Sequence, residues 1–163
     1  MAFYFWSMRQ EIESLLQQLK DAYGGEPWFG RSVKALLNEV DERTAFKKLN
    51  GQHSILELLW HMITWREFTI HCLQPSPDRN LKYFEDLDWR SLDDNDPFLW
   101  QKGLNTLNET QGRLISLLEQ ADDSLLEKSV RERDYTYRKL LVGIIQHDIY
   151  HVGQIAFITK CLK

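Results

Sequence analysis

A chain of 163 residues is the size of one ordinary domain, and its 20 Lys and Arg against 24 Asp and Glu give a formal net charge of −4. That balance excludes broad electrostatic nucleic-acid binding, which needs a basic face to displace counterions. A hydrophobic fraction of 43% with 12% aromatics excludes disorder, and 8 Gly with 4 Pro leave few helix breakers.

Apolar periodicity predicts four long helices. The first runs from Met8 to Tyr23, with Ile12, Leu15, Leu16 and Leu19 on one face, and stops at Gly24-Gly25. A shorter helix follows around Val33 to Val40, then a turn at Asn50-Gly51. The second long helix opens at Ser54-Ile55-Leu56-Glu57, a capping box in which each side chain satisfies the other residue's backbone N–H. It continues to Leu73, before Pro75 and Pro77. Residues 74–95, with Asp86, Asp88, Asp93 and Asp94, read as a long acidic surface crossover. Asp96-Pro97 predicts the start of the third helix, which runs to Gln120 or Ala121. Residues 122–135 alternate enough to permit a short extended stretch. Thr136 then caps a fourth helix that continues to Lys160. No repeat or linker divides the chain. The expectation is an all-α fold, a single four-helix-bundle domain over residues 1–163, with long connections between helices 1 and 2 and helices 2 and 3.

The apolar opening Met1–Trp6 is too short for a signal-peptide core and follows no positive segment. No apolar run approaches the ~18 residues that span a bilayer. Cys72 and Cys161 are too few for a disulfide framework and read as small residues buried on helices. A reduced, cytoplasmic protein without a membrane or nucleic-acid partner is expected.

The five histidines separate by position. His147 and His151, four apart in the fourth helix, stack one turn apart on one stripe with Leu140, Ile144, Gln154 and Ile158. His61 shares the apolar stripe of the second helix with Leu58, Trp65, Phe68 and Cys72. Three inward imidazoles on two helices bring donors and acceptors into an apolar seam, and a divalent cation would satisfy the acceptors together. Spacing alone leaves two readings: a three-histidine metal site, or three separately hydrogen-bonded core histidines. His53, before the helix cap, and His71, near the proline stop, read as surface residues.

Their neighbours are candidates for supporting or catalytic roles. Asp148 follows His147 in an H-D-x-x-H string, one methylene short of the H-E-x-x-H of zinc proteases, and no third ligand follows in a protease-like pattern. It is placed to orient a ligand or to pair with a cation on a neighbouring helix. Glu57 lies one turn before His61 and also serves the capping box, Thr64 lies three residues after it, and Gln154 follows His151 by three. Glu57, Thr64 and Gln154 are candidates to tie down a free imidazole nitrogen or a bound water. Tyr150, at the edge of the stripe, could offer its hydroxyl to a ligand or serve only in packing. No nucleophile elbow, phosphate loop or dinucleotide fingerprint occurs. Nor do the two Glu-x-x-His pairs of a di-iron bundle.

The strings from Ser54 to Arg66 and from Gln146 to Ile155 resemble the DinB-like (YfiT-type) family of small metal-binding four-helix bundles. The second, H-D-x-Y-H-x-G-Q-I, is the more specific, and Trp28-Phe29-Gly30 and Trp100 fit the same layout. The resemblance implies a divalent metal held by His61, His147 and His151 with an open coordination position. It also implies a small-molecule substrate and a homodimer. Members of that family are described as metal-dependent hydrolases and as transferases of low-molecular-weight thiols, bacillithiol among them. Three neutral imidazoles without a thiolate suit Zn²⁺ or Ni²⁺, with Fe²⁺ and Mn²⁺ as alternatives. The open position would take either a water for hydrolysis or a thiol for transfer. A non-catalytic metal staple or stress sensor is the third reading.

Overall fold

A computed structural model describes residues 9–93 and 95–162. The apolar opening, Met8 and Asp94 lie outside the described residues. The described residues are helical, with four long helices: α1 (Gln10–Gly24), α4 (Ile55–Leu73), α6 (Leu99–Glu119) and α7 (Tyr137–Cys161). Short helices α2 (Val33–Leu37) and α3 (Glu42–Phe46) lie between α1 and α4, and α5 (Leu81–Asp86) lies between α4 and α6. A 3₁₀ turn covers Asp123–Glu127.

The long helices pack in the cyclic order α1–α6–α4–α7. Helices α1 and α4 therefore face each other across one diagonal, and α6 and α7 across the other. A diagonal connection must cross the end of the bundle, which accounts for the length of the segments before α4 and before α7. Helices α4 and α6 are neighbours, for which a connection of about 2–8 residues suffices. The long segment between them is used elsewhere: it folds back over α4.

Local chemistry fixes the helix ends. Ser54 Oγ accepts from the Glu57 N–H at 3.1 Å and Glu57 Oε2 accepts from the Ser54 N–H at 2.7 Å, so the predicted capping box forms. The predicted turn forms too, with Asn50 and Gly51 both in the left-handed region and the Gln52 N–H donating to the Leu49 carbonyl at 2.8 Å. Helix α1 receives its cap from a distant segment, since the Asp123 carboxylate accepts from the Glu11 and Ile12 N–H groups at 3.3 and 2.9 Å.

Several boundaries differ from expectation. Helix α6 begins at Leu99 because Asp96 Oδ1 caps the Phe98 N–H and its carbonyl holds the Leu99 N–H, closing a turn ahead of the helix. The first short helix ends at Leu37, and a second, capped by Asp41, follows. Residues 122–135 carry the 3₁₀ turn, and only an isolated antiparallel bridge joins Ser129 to Thr136. Thr136 precedes α7 without a side-chain cap bond.

The core is aliphatic: Ile12, Leu36, Leu59, Leu114 and Ile155 are among the fully buried side chains. Each stabilises the fold by about 1.5–3 kcal/mol through removal from water. Gly103 lets α6 approach α4 closely, since a Cβ there would lie 2.7 Å from Leu59 Cδ2. Cys72 is buried but Cys161, at the end of α7, is exposed, a correction to its expected burial; both are free thiols. Among the described residues no helix is long and apolar enough to cross a membrane.

Candidate metal centre

Helices α4 and α7 are neighbours, so the His61 stripe of one meets the His147/His151 stripe of the other. His147 Nε2 lies 2.9 Å from His61 Nε2 and 3.1 Å from His151 Nε2. His61 and His151 are buried and His147 is half-buried. Nitrogens bound to one tetrahedral zinc at 2.0–2.1 Å are about 3.3 Å apart. Both separations from His147 thus lie within a few tenths of an ångström of that spacing.

The outer nitrogens determine which way the lone pairs point. Gln154 Nε2 donates to the Tyr150 hydroxyl at 3.4 Å, which turns its Oε1 toward His151 Nδ1 at 2.5 Å. That Nδ1 therefore carries the proton, and His151 Nε2 presents a lone pair. Asp88 Oδ1 lies 2.7 Å from His61 Nδ1, close in distance but oblique to the ring N–H, and also accepts from Trp65 Nε1 at 2.6 Å. The carboxylate favours the proton on that side and leaves His61 Nε2 as an acceptor. His147 Nδ1 is buried without a hydrogen-bond partner. Whichever nitrogen of His147 carries its proton, one Nε2–H cannot satisfy two facing lone pairs in linear geometry. A divalent cation at the centre satisfies all three, so the donor set fits a metal.

Electrostatics agree with neutral ligands. Burial, reinforced by His151 and His61, pushes His147 down to about 3. Burial also pushes His151 down to about 4, against the bond to Gln154. His61 is lowered by burial, with Asp88 opposing. All three are therefore unprotonated at neutral pH, as metal ligation requires. Among the described residues, His61, His147 and His151 form a group of ligand atoms within 4.8 Å of one another, able to hold a metal ion.

The other candidates divide. Gln154 touches His151. Tyr150 is exposed and sets its ring edge-on to His151 at 5.1 Å. Glu57 is held by the capping box and by Lys48 at 2.8 Å. Thr64 accepts from Arg90 at 2.6 Å and donates toward the Trp60 and Leu87 carbonyls. Asp148 is completely buried and takes the second role foreseen for it: its Oδ2 accepts from Arg66 Nε at 3.0 Å and Nη2 at 2.6 Å. Arg66, also buried, donates its third bond to Gln111 Oε1 at 2.7 Å, and Gln111 donates to the Leu19 carbonyl at 3.2 Å. This buried relay ties α1, α4, α6 and α7 together beneath the histidines.

The segment between α4 and α6 supplies what the sequence did not distinguish. Beyond Asp88, Trp89 is stacked between His53 and His61, at 3.7 and 4.0 Å with interplanar angles of 10°. The indole holds His53 one ring away from His61. His53 is exposed as expected, whereas His71 is half-buried and its Nδ1 accepts from the Ser76 N–H at 3.2 Å. Arg90 packs over Trp60 at 5.2 Å. No sequence signal separates Asp88 from Asp86 or Asp93; Arg66 was visible as the one Lys or Arg of α4.

A cleft of about 350 Å³ opens between α4 and α7 and reaches His147. Comparison with curated proteins and with solved structures finds no match. A family model does match, that of the DinB superfamily, over residues 7–155, which include both histidine-bearing helices. By that match over most of its length, the chain belongs to the DinB superfamily.

Proposed function

We propose that the protein is a divalent-metal-dependent transferase that activates a low-molecular-weight thiol, of the bacillithiol type, for attack on a small electrophile. The observation that carries this reading is the convergence of three neutral imidazole nitrogens at 2.9 and 3.1 Å, two of them oriented by Asp88 and Gln154. Three nitrogen ligands leave a coordination position for an exogenous group, the mark of a catalytic rather than a structural zinc-type site. A bound divalent ion supplies Lewis acidity that lowers the pKa of a thiol at that position.

The residues around the centre favour a thiol over water. Metal-bound water can also ionise to solvent, but hydrolysis further needs a proton returned to the leaving group, and the nearby carboxylates are committed: Asp148 to Arg66, Glu57 to its cap and Lys48, Asp88 to His61 and Trp65. A thiol with a lowered pKa loses its proton to solvent and needs no resident base. In the transfer, sulfur donates an electron pair to form the new S–C bond and the leaving group departs with its own pair. His61, His147 and His151 hold the ion throughout, and Trp89 covers one face of His61 against water.

Co²⁺-substituted protein tests this. Adding cysteine or bacillithiol is expected to produce a new sulfur-to-cobalt absorption band, lost in His147→Ala. An unchanged spectrum at millimolar thiol, with turnover of activated esters that disappears in His147→Ala, would replace thiol transfer with hydrolysis.

A further inference from the structure

The cleft beside the metal centre has its own chemistry. Its walls are Trp65 and Phe68 of α4 and Leu140 and Ile144 of α7, and His147 closes one end. The volume of about 350 Å³ falls within the range of small-molecule sites, roughly 300–1,000 Å³. Positive charge borders this apolar surface. Lys139 lines the cleft, is exposed, and has no carboxylate partner among the described residues; it rests over the Tyr135 ring at 5.5 Å. Arg133 lies over the Trp65 and Phe68 rings at 5.9 and 5.3 Å, its Nε buried without a hydrogen-bond partner and its nearest carboxylate, Glu85, 3.9 Å away.

Gly143 points the same way. It lies inside α7, where glycine costs about 0.5–1 kcal/mol relative to alanine. A Cβ at this position would meet no heavy atom within 4 Å, so the missing side chain relieves no clash within the chain. Its effect is to keep the cleft open, since Gly143 lines it.

We propose that this cleft binds a small organic anion with an aromatic or similarly apolar body, the body lying between α4 and α7 and the anionic group meeting Lys139. This deepens the transferase reading and rests on it in one respect: the ligand is the electrophilic substrate only if the metal centre at the His147 end is catalytic. Apolar walls provide affinity through area removed from water, and the cation provides orientation.

The test is calorimetric titration of zinc-loaded and metal-free full-length protein with 1-naphthoate and with the neutral 1-naphthylmethanol, alongside the Trp65 side-chain N–H resonance. Naphthoate is expected to bind both forms, to shift that resonance, and to bind several-fold more tightly than the alcohol. Lys139→Met is expected to abolish the difference between the two probes. Gly143→Leu is expected to weaken naphthoate more than tenfold with metal content unchanged, while Gly143→Ala, which adds one methyl, retains most of the binding. Equal binding of acid and alcohol to the wild type would overturn the proposal, as would naphthoate binding unaffected by Gly143→Leu. A change of oligomeric state in Gly143→Leu would assign the cleft to a contact between copies of the chain and overturn it too. Naphthoate binding to a protein that takes up no metal would sink the transferase reading and leave the cleft standing.

Discussion

Replacing Asp148 by alanine strands the Arg66 guanidinium. Both side chains are fully buried, and the carboxylate accepts two of the three hydrogen bonds that Arg66 donates. Breaking a buried ion pair by removing one partner costs about 3–5 kcal/mol, because the remaining charge keeps its desolvation penalty. Arg66 would retain Gln111 at 2.7 Å and its position over the Tyr23 ring at 5.2 Å, which limits the loss. Alanine also opens a void, so about 4 kcal/mol is expected for Asp148→Ala. Asp148→Asn, whose carboxamide oxygen can still accept from Arg66, is expected to lose about 3 kcal/mol. With a urea m-value of about 2 kcal/mol/M, the alanine variant's midpoint falls by about 2 M. That is a large part of the 5–15 kcal/mol typical of a folded domain. The double variant Arg66→Met/Asp148→Leu removes both charges and is expected to recover much of the loss. A loss under 1 kcal/mol for Asp148→Ala, or a double variant as unstable as the sum of the single ones, would refute the reasoning.

Two further outcomes follow from the groups around the histidines. Asp88→Asn keeps the shape but removes the charge beside His61 Nδ1, and is expected to weaken zinc or nickel binding by about 10–100-fold in competition with a chromophoric chelator; unchanged affinity would contradict the role of the crossover. The metal-free protein should be acid-sensitive in a defined window, because burial holds His147 down to about 3 and His151 to about 4, against the ordinary value of 6.5. The unfolded chain takes up protons that the folded chain refuses, so stability is full above pH 6.5. Below it, each such histidine removes about 1.4 kcal/mol per pH unit until its folded pKa is reached. Urea midpoints of chelator-treated protein between pH 7 and 5 check this, and a flat profile would contradict it.

What could be read in the sequence is what local chemistry determines. The capping box at Ser54 and Glu57, the left-handed turn at Asn50 and Gly51, and the i,i+4 pair of His147 and His151 depend on residues a few positions apart, and all formed. The order α1–α6–α4–α7 depends on which stripes meet across the bundle, which no local pattern encodes. Asp88 and Trp89 were hidden for the same reason. They belong to a polar connection, and only its fold-back over α4 distinguishes them from the neighbouring acidic and aromatic residues. Asp96 was read as a helix cap and does cap, but it closes a turn that defers α6 to Leu99. Cys161 was expected to be buried as a small residue on a helix, and residue type alone does not say where packing ends along α7.

The central claim is that His61, His147 and His151 hold one metal ion between α4 and α7. Metal analysis of the purified wild type beside His61→Ala and His151→Ala tests it most directly. The account predicts about one divalent ion per wild-type chain and almost none in either variant, with the helical circular-dichroism signal retained. Equal metal content in all three proteins would contradict it.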